Sequence, residues 1–481
     1  MKEKVLNWSG TLFLTFGGIL LLLWWFLNNP VKDFKESMPG MDNKPANITI
    51  SEAKVNIGAL FSKSKGSPAH IVGNWPRFRG TNFDNISNEQ EKLIDSWDQE
   101  PKILWSIPMG EGHAGPVIHK GKVYILDYDE KQKADLLRCL SFKDGKEIWQ
   151  RGYNINIKRN HGVSRTVAAV TDKFVVTMGP KCHVMCVGTE TGNFLWGIDL
   201  NREYGTEVPL WYTGQCPLIE DSVAIIAPGG DSLMLGIDCE SGQVLWKTPN
   251  PNKWQMSHSS ILPINYKGKR IYVYCAIGGI VGVSADKENR GAILFASSLW
   301  NHKVIAPSPV YIGKGKLFVT AGYGKGSMLL QIQADSLPQS DLPFKLSVLQ
   351  TVKPHEGIAS EQQTPIFYNG CLFSILPKDA GSNRNQMVCV PPDNLNKIKW
   401  YSGKTNRFGL GPYLLADGKF YVLSDDGFLT IIKASTEEYL QLDRKRILEG
   451  VDAWGPMALV QGRLLARDSK RLVCVDLRAN N

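Results

Sequence analysis

The sequence predicts an all-β fold, an eight-bladed β-propeller, preceded by one N-terminal transmembrane helix. Three observations carry this reading. A turn, an apolar step and a tryptophan recur together, as Asp144-Gly145-Lys146-Glu147-Ile148-Trp149, Thr191-Gly192-Asn193-Phe194-Leu195-Trp196 and Ser241-Gly242-Gln243-Val244-Leu245-Trp246. Weaker relatives stand at Leu104-Trp105, Leu299-Trp300 and Lys399-Trp400, so that Trp105, Trp149, Trp196, Trp246, Trp300 and Trp400 are spaced by 44, 47, 50, 54 and 100 residues. A period of roughly 45–50 residues marks stacked supersecondary units of propeller-blade size. Second, eight strand openings can be phased along the chain. Third, residues 9–27 carry no charge.

Taken in order, residues 1–8 form a short N-terminus and 9–27 a candidate membrane span. At about 1.5 Å per residue, a helix of this length approaches the roughly 30 Å thickness of a bilayer core. Lys2 and Lys4 precede it, Trp24 and Trp25 sit where an interfacial aromatic belt lies, and Asn28-Asn29-Pro30 offers no small-residue cleavage site. These features favour an uncleaved signal anchor over a cleaved signal peptide, although Lys32 and Lys35 blunt the charge asymmetry. Residues 28–73 read as a connector rich in Lys, Ser, Asn, Pro and Gly, with a short strand within Asn47 to Leu60 and a loop from Ser62 to Ser67. The propeller spans 74–477, and 478–481 form a tail.

The eight openings are Gly115-Pro116-Val117-Ile118, Thr166-Val167-Ala168-Ala169, Cys216-Pro217-Leu218-Ile219, Ser259-Ser260-Ile261-Leu262, Ser308-Pro309-Val310-Tyr311, Thr364-Pro365-Ile366-Phe367, Gly411-Pro412-Tyr413-Leu414 and Gly455-Pro456-Met457-Ala458. Each is followed by a second short apolar run such as Val223-Ala224-Ile225-Ile226 or Phe420-Tyr421-Val422-Leu423. Short β-branched or aromatic runs bounded by turns are strands. Lys-Gly-Lys and Asp-Gly-Lys before several of them read as hairpin turns, with glycine supplying positive φ. The eighth unit ends at Arg471–Leu477 without a closing tryptophan strand, whereas the strand near 103–107 has no blade of its own. Joining the two closes the ring and removes an exposed edge. Seven blades would follow only from a miscount of the fifth or seventh unit, both of which lack the tryptophan.

Nine cysteines make an odd count for an exported protein. Cys139, Cys186, Cys239, Cys389 and Cys474 recur in one context, all but Cys239 between strand residues before the closing turn, which indicates buried small hydrophobes and not a disulfide framework. Cys182, His183 and Cys186 match no strong zinc spacing and lack a fourth ligand. The net charge of +9 is scattered along the chain without a basic stripe or a recognition motif, so no nucleic-acid partner is expected. A positive body beside anionic lipid is the plainer account.

The tryptophan phrase and its phase resemble the pyrroloquinoline-quinone-like (PQQ-like) β-propellers, in which a tryptophan-docking repeat places a closing-strand tryptophan between adjacent blades. Asn74-Trp75-Pro76-Arg77-Phe78-Arg79-Gly80 resembles the lead-in of bacterial membrane-anchored or secreted PQQ-binding-like repeat proteins. With the short N-terminus inside, the anchor places the rest of the chain in the periplasm or exterior, and with a bacterial resemblance the expectation is a single-pass inner-membrane protein with its propeller in the periplasm. That family holds quinoprotein dehydrogenases and non-enzymatic relatives, including the lipoprotein of the outer-membrane barrel-assembly machinery. A dehydrogenase of this type implies a vicinal cysteine pair and a tryptophan on the two faces of the quinone, an Asp base, and Glu, Asn and Asp oxygens for calcium. No two cysteines here are adjacent, and no matching acidic set converges at the strand openings. The expectation is therefore no cofactor, no metal and no catalytic residue; PQQ-dependent oxidation ranks last among the readings.

Phase also locates one end of the channel. Arg165, Gln215, His258, Gln363 and Trp454 stand about two residues before each common proline or its equivalent, and His113 one position earlier. Together they predict a mouth suited to an anionic or polar ligand, a peptide carboxylate or a partner loop. The alternative is that they hydrogen-bond inner-strand ends and hold water. Two histidines, His113 and His258, without a carboxylate do not make a metal site. Lys158-Arg159-Asn160-His161 would add a basic rim. Trp211, Tyr212, Trp254 and Trp454 lie outside the closing-strand phase and are candidates for protein contact, unless inter-blade packing absorbs them. The leading functional expectation is a scaffold for other envelope or membrane proteins, tethered to the bilayer through residues 9–27. The alternative is a binding module for a polar or anionic ligand or polymer.

Overall fold

The computed structural model describes residues 2–28, 54–158, 160–335 and 342–479. Two compact units divide the chain, Met1–Ala53 and Lys54–Asn481. In the first, Lys2–Leu27 is an α-helix whose side chains are described from Phe13 onward. Among the described residues no helix is long and apolar enough to cross a membrane. The transmembrane reading of residues 9–27 therefore rests on their sequence. Most of the expected connector, 29–53, lies outside the described residues.

The second unit is eight antiparallel sheets, each built on four strands that run from inner to outer. All eight openings lead into inner strands: Val117–His119, Ala169–Val170, Leu218–Glu220, Leu262–Tyr266, Val310–Tyr311, Ile366–Tyr368, Tyr413–Ala416 and Ala458–Val460. In six blades the turn between the first two strands has two successive residues with positive φ, as in Lys120-Gly121, Lys267-Gly268 and Asp417-Gly418. That is the twist-matched two-residue hairpin, and it needs glycine at its second position in most cases. Blade eight takes its outer strand from the N-terminal side: Ile103–Pro108 pairs with Arg471–Asp476, and the ring is closed.

The apolar step before Trp105, Trp149, Trp196 and Trp246 is a β-bulge. Registers shift by one residue at Leu104, Ile148, Leu195, Leu245, Leu294, Leu349 and Leu442. A bulge re-aims the next side chain, and that next residue is Trp105, Trp149, Trp196, Trp246, Phe295, Gln350 and Asp443 in turn. Blade six places Trp400 at the same station, opposite Cys389. Trp105, Trp149, Trp196 and Trp246 each lie on the closing-turn glycine of the following blade. A Cβ at Gly145 would come within 2.8 Å of Trp105, one at Gly192 within 2.7 Å of Trp149, and one at Gly242 within 2.6 Å of Trp196. The indole N–H of Trp105 donates to Phe142 O at 3.0 Å, that of Trp196 to Cys239 O at 2.9 Å and that of Trp400 to Ser435 O at 3.1 Å. Trp149 and Trp246 make the ring contact while their buried Nε1 atoms have no partner.

Trp300 does not belong to this series. It follows the outer strand Ile293–Ser297 and is buried in the turn beyond it, while Phe295 holds the docking station opposite Gly282. In blade five, Gln350 docks by hydrogen bonds, donating to Pro392 O and Asp393 O and accepting from Leu395 N. In blade seven, Asp443 accepts from Trp97 N at 2.7 Å.

Part of the expected connector belongs to the propeller. Leu60–Lys63 is a strand that pairs with the outer strand Glu147–Asn154, adding a fifth strand to blade one where a loop was expected from Ser62. The lead-in then runs across the base of the channel. Asn74–Trp75 pairs with Val117–His119, and Pro76 O accepts from Val170 N. Phe83 packs against the cores of blades three to five. Arg79 donates to Asp84 O and Pro365 O, Asn85 pairs with the backbone of Tyr413 and Leu415, and Glu89 accepts from Gln461 N. Arg79, Phe83 and Asn85 have φ of 64°, 62° and 64°, a left-handed conformation that persists only where surroundings over-determine it. The segment is a plug. The tail is also used, since Arg478 bridges to Leu93.

Candidate functional site at the channel mouth

The inner strands begin at the end of the channel opposite the plug, and the residues just before them converge there. His113, Arg165, His258, Gln363 and Trp454 line one cavity of about 130 Å³, together with Phe78, Trp211, Tyr323 and Glu361. Gln215 does not join them. It is fully buried within blade three, where its amide donates to Ala227 O and Tyr274 Oη and accepts from Ala227 N. The backbone of Ala227 needs partners there, and the phase position supplies them. Trp254, expected among the exposed aromatics, is buried against Gly278 and Gly279. Arg159 lies outside the described residues.

Arg165 is the positive pole. Its Nη2 donates to Asn160 O at 2.8 Å, His161 O at 2.7 Å and Gly162 O at 3.2 Å, while its buried Nε has no partner. Among the described residues no carboxylate lies within ion-pair distance of it. Burial draws its guanidinium down to about 10, with Tyr212 and Tyr323 opposing; it is charged at neutral pH. The two histidines are not. Burial, then Arg165 and Arg467, hold His113 down to about 3, and its neutral ring donates from Nε2 to His161 O at 3.1 Å. Burial and then Arg165 hold His258 down to about 4.

Aromatic rings form the walls. His113 stacks on Trp454 with centroids 4.4 Å apart and planes at 10°. Trp211 lies 6.5 Å from His258 and 5.8 Å from Tyr323. Trp211, Tyr212 and Tyr323 all have positive φ, of 62°, 74° and 56°. Gln363 donates to Leu410 O and Trp454 O, tying blades six to eight together at the rim. Glu361 also reaches the cavity and pairs with Lys378 at 3.2 Å. Among the described residues no group of three or more His, Cys, Asp or Glu is placed to hold a metal ion. Phase did not point to Glu361 or Tyr323: the first lies two residues before a phased position, the second in a hairpin with no signal of its own. Phe78 was visible only as part of the lead-in motif.

Residues 132–336 match the family model described as outer membrane protein assembly factor BamB. Over those residues the chain is similar to PQQ-like repeats of the BamB type, and the whole of its second unit is folded as an eight-bladed β-propeller. Among solved structures it is similar to BamB from Moraxella catarrhalis, at 12% identity and a TM-score of 0.50, covering 78% of this chain and 99% of that one. The computationally designed Ika8 protein gives 11% identity, a TM-score of 0.51 and the same coverage. The quinohemoprotein alcohol dehydrogenase of Comamonas testosteroni matches at 12% identity and a TM-score of 0.43, covering 85% of this chain and 81% of its own. No curated protein matches the chain.

Proposed function

We propose that this protein is a docking scaffold of the bacterial envelope, tethered to the inner membrane by residues 9–27 and presenting its propeller to the periplasm. The tether is supported by the uncharged run and its flanking Lys and Trp residues, and the assembly role by likeness to a family of assembly factors. The observation that carries the reading is the set of free outer edges. The chain covers the outer edge of blade one with its own strand Leu60–Lys63. Blade five leaves a nine-residue outer strand, Phe344–Val352, at the sheet edge, with Val348 41% and Leu349 44% exposed. Blades two and three expose Phe194, Leu195 and Leu245 in the same layer. An unpaired, apolar edge strand is a template for an added strand from another chain.

Affinity capture after gentle extraction of membranes tests this. Recovery of a stoichiometric envelope partner is expected, and its absence would sink the scaffold reading. Quinone absorbance in the purified protein, or calcium-dependent dye reduction with added quinone, would favour the dehydrogenase instead. A second reading, ligand binding at the channel mouth, is favoured by the cavity that holds Arg165.

A further inference from the structure

We infer that the channel mouth takes a small monocarboxylate with a flat apolar body, its carboxylate on Arg165 and its body against Trp211. The inference rests on the mouth being a ligand site and names the class of ligand.

Charge argues for an anion. Three carbonyls orient Arg165 without neutralising it, and its Nε is left without a partner. An arginine held at a cavity wall with no acid within ion-pair distance among the described residues favours a carboxylate, which its planar fork matches in geometry. The neutral state of His113 and His258 leaves that charge single. Glu361 on the same lining disfavours a second negative charge on the ligand.

Shape argues for a flat body. Rings stand around the cavity from five blades: His113, Trp211, His258, Tyr323 and Trp454. Two of them, Trp211 and Tyr323, are held in left-handed backbone that bulky residues avoid. Strain of this kind gathers at ligand clamps, where the fold sets a side chain that local preference would not. Size agrees: the cavity of about 130 Å³ is close to the roughly 150 Å³ of an engineered apolar cavity that holds benzene. One ring and one carboxylate fit it.

Titration calorimetry on the full chain in detergent tests the inference with benzoate, its neutral isostere benzamide, the dianion phthalate and inorganic phosphate. Benzoate is expected to saturate one site, with the other three at least about tenfold weaker, as loss of a charge-assisted pair or a mismatch of charge implies. Arg165→Gln should weaken benzoate at least about tenfold by the same reasoning, and Trp211→Leu should weaken it too. Thermal melts establish that each variant folds; if Arg165→Gln does not, Arg165→Lys replaces it and should still lose affinity because the fork is gone. A peptide ending in phenylalanine, with its carboxyl free or amidated, separates a free acid from a partner's C-terminus: binding of the free form alone assigns the carboxylate to a chain end. Equal binding of benzoate and benzamide, or tighter phthalate or phosphate, would overturn the ligand class while the mouth remained a site. No binding by any probe would overturn both.

Discussion

Trp105 and Cys474 face one another across the outer two strands of blade eight, one from each end of the propeller sequence. The ring is therefore shut by a strand from the N-terminal side, and Trp105 docks onward to blade one through Phe142 O. A closed propeller has no first or last sheet to fray.

That seam carries a charge latch. Asp476 accepts from Arg478 Nε and Nη2, both at 2.7 Å, pairs with Lys102 Nζ at 3.2 Å, and gives its own N–H to Lys102 O. Burial pushes its carboxyl up, but Arg478, the Arg478 N–H and Lys102 outweigh it and hold it at about 2, below the ordinary 3.8. A depressed folded value means stability that is present above the ordinary value and is lost as pH falls toward the folded one. Asp476→Asn should lower the denaturation midpoint at pH 7 and flatten its decline between about pH 4 and pH 2. A midpoint-versus-pH series on both proteins checks this; parallel curves would count against the latch.

The docking stations predict a graded series of stabilities. Trp196→Ala removes a ring stacked on Gly242 and a hydrogen bond to Cys239 O, and should cost about 3–5 kcal/mol. Phe295→Ala should cost a similar amount, since Phe295 is fully buried at the equivalent station. Gly242→Ala should also destabilise, because a Cβ there meets Trp196 at 2.6 Å on a backbone with φ of 75°. Urea unfolding followed by far-UV dichroism would measure all three, and a silent Phe295→Ala would remove it from the series.

The plug predicts an effect far from the blades. Arg79 is buried and holds Asp84 O and Pro365 O. Arg79→Met keeps the stem, strands two carbonyls and should cost about 1–3 kcal/mol. Limited proteolysis should then cut first between residues 76 and 90. Retention of the parent cleavage pattern and melt would argue that the plug holds without its arginine.

All nine cysteines are buried and unpaired. Burial pushes the thiols of Cys139, Cys182 and Cys474 up to about 12 and that of Cys216 up to about 11. Thiolate is the reactive form. A thiol reagent should therefore find little in the native protein at pH 8 and titrate nine groups after denaturation. A fast native reaction would reveal an exposed thiol.

The sequence by itself determined the eight openings, the hairpin glycines and the spare strand that closes the ring. These depend on local rules: alternation of short apolar runs, the positive φ that a two-residue hairpin demands, and the repeat of one phrase. It also brought His113, Arg165, His258, Gln363 and Trp454 to one end, because equivalent positions of a repeat face the same way. Tertiary structure decided the rest. Trp300 carried the right residue in the wrong register, and only pairing against Gly282 showed that Phe295 takes the station. Gln215 was in phase but turned inward to satisfy the backbone of Ala227. The plug and the aromatic clamp at Trp211 and Tyr323 join residues far apart in the chain and hold them in backbone conformations that local preference disfavours. Only the packing of all the blades together could impose them.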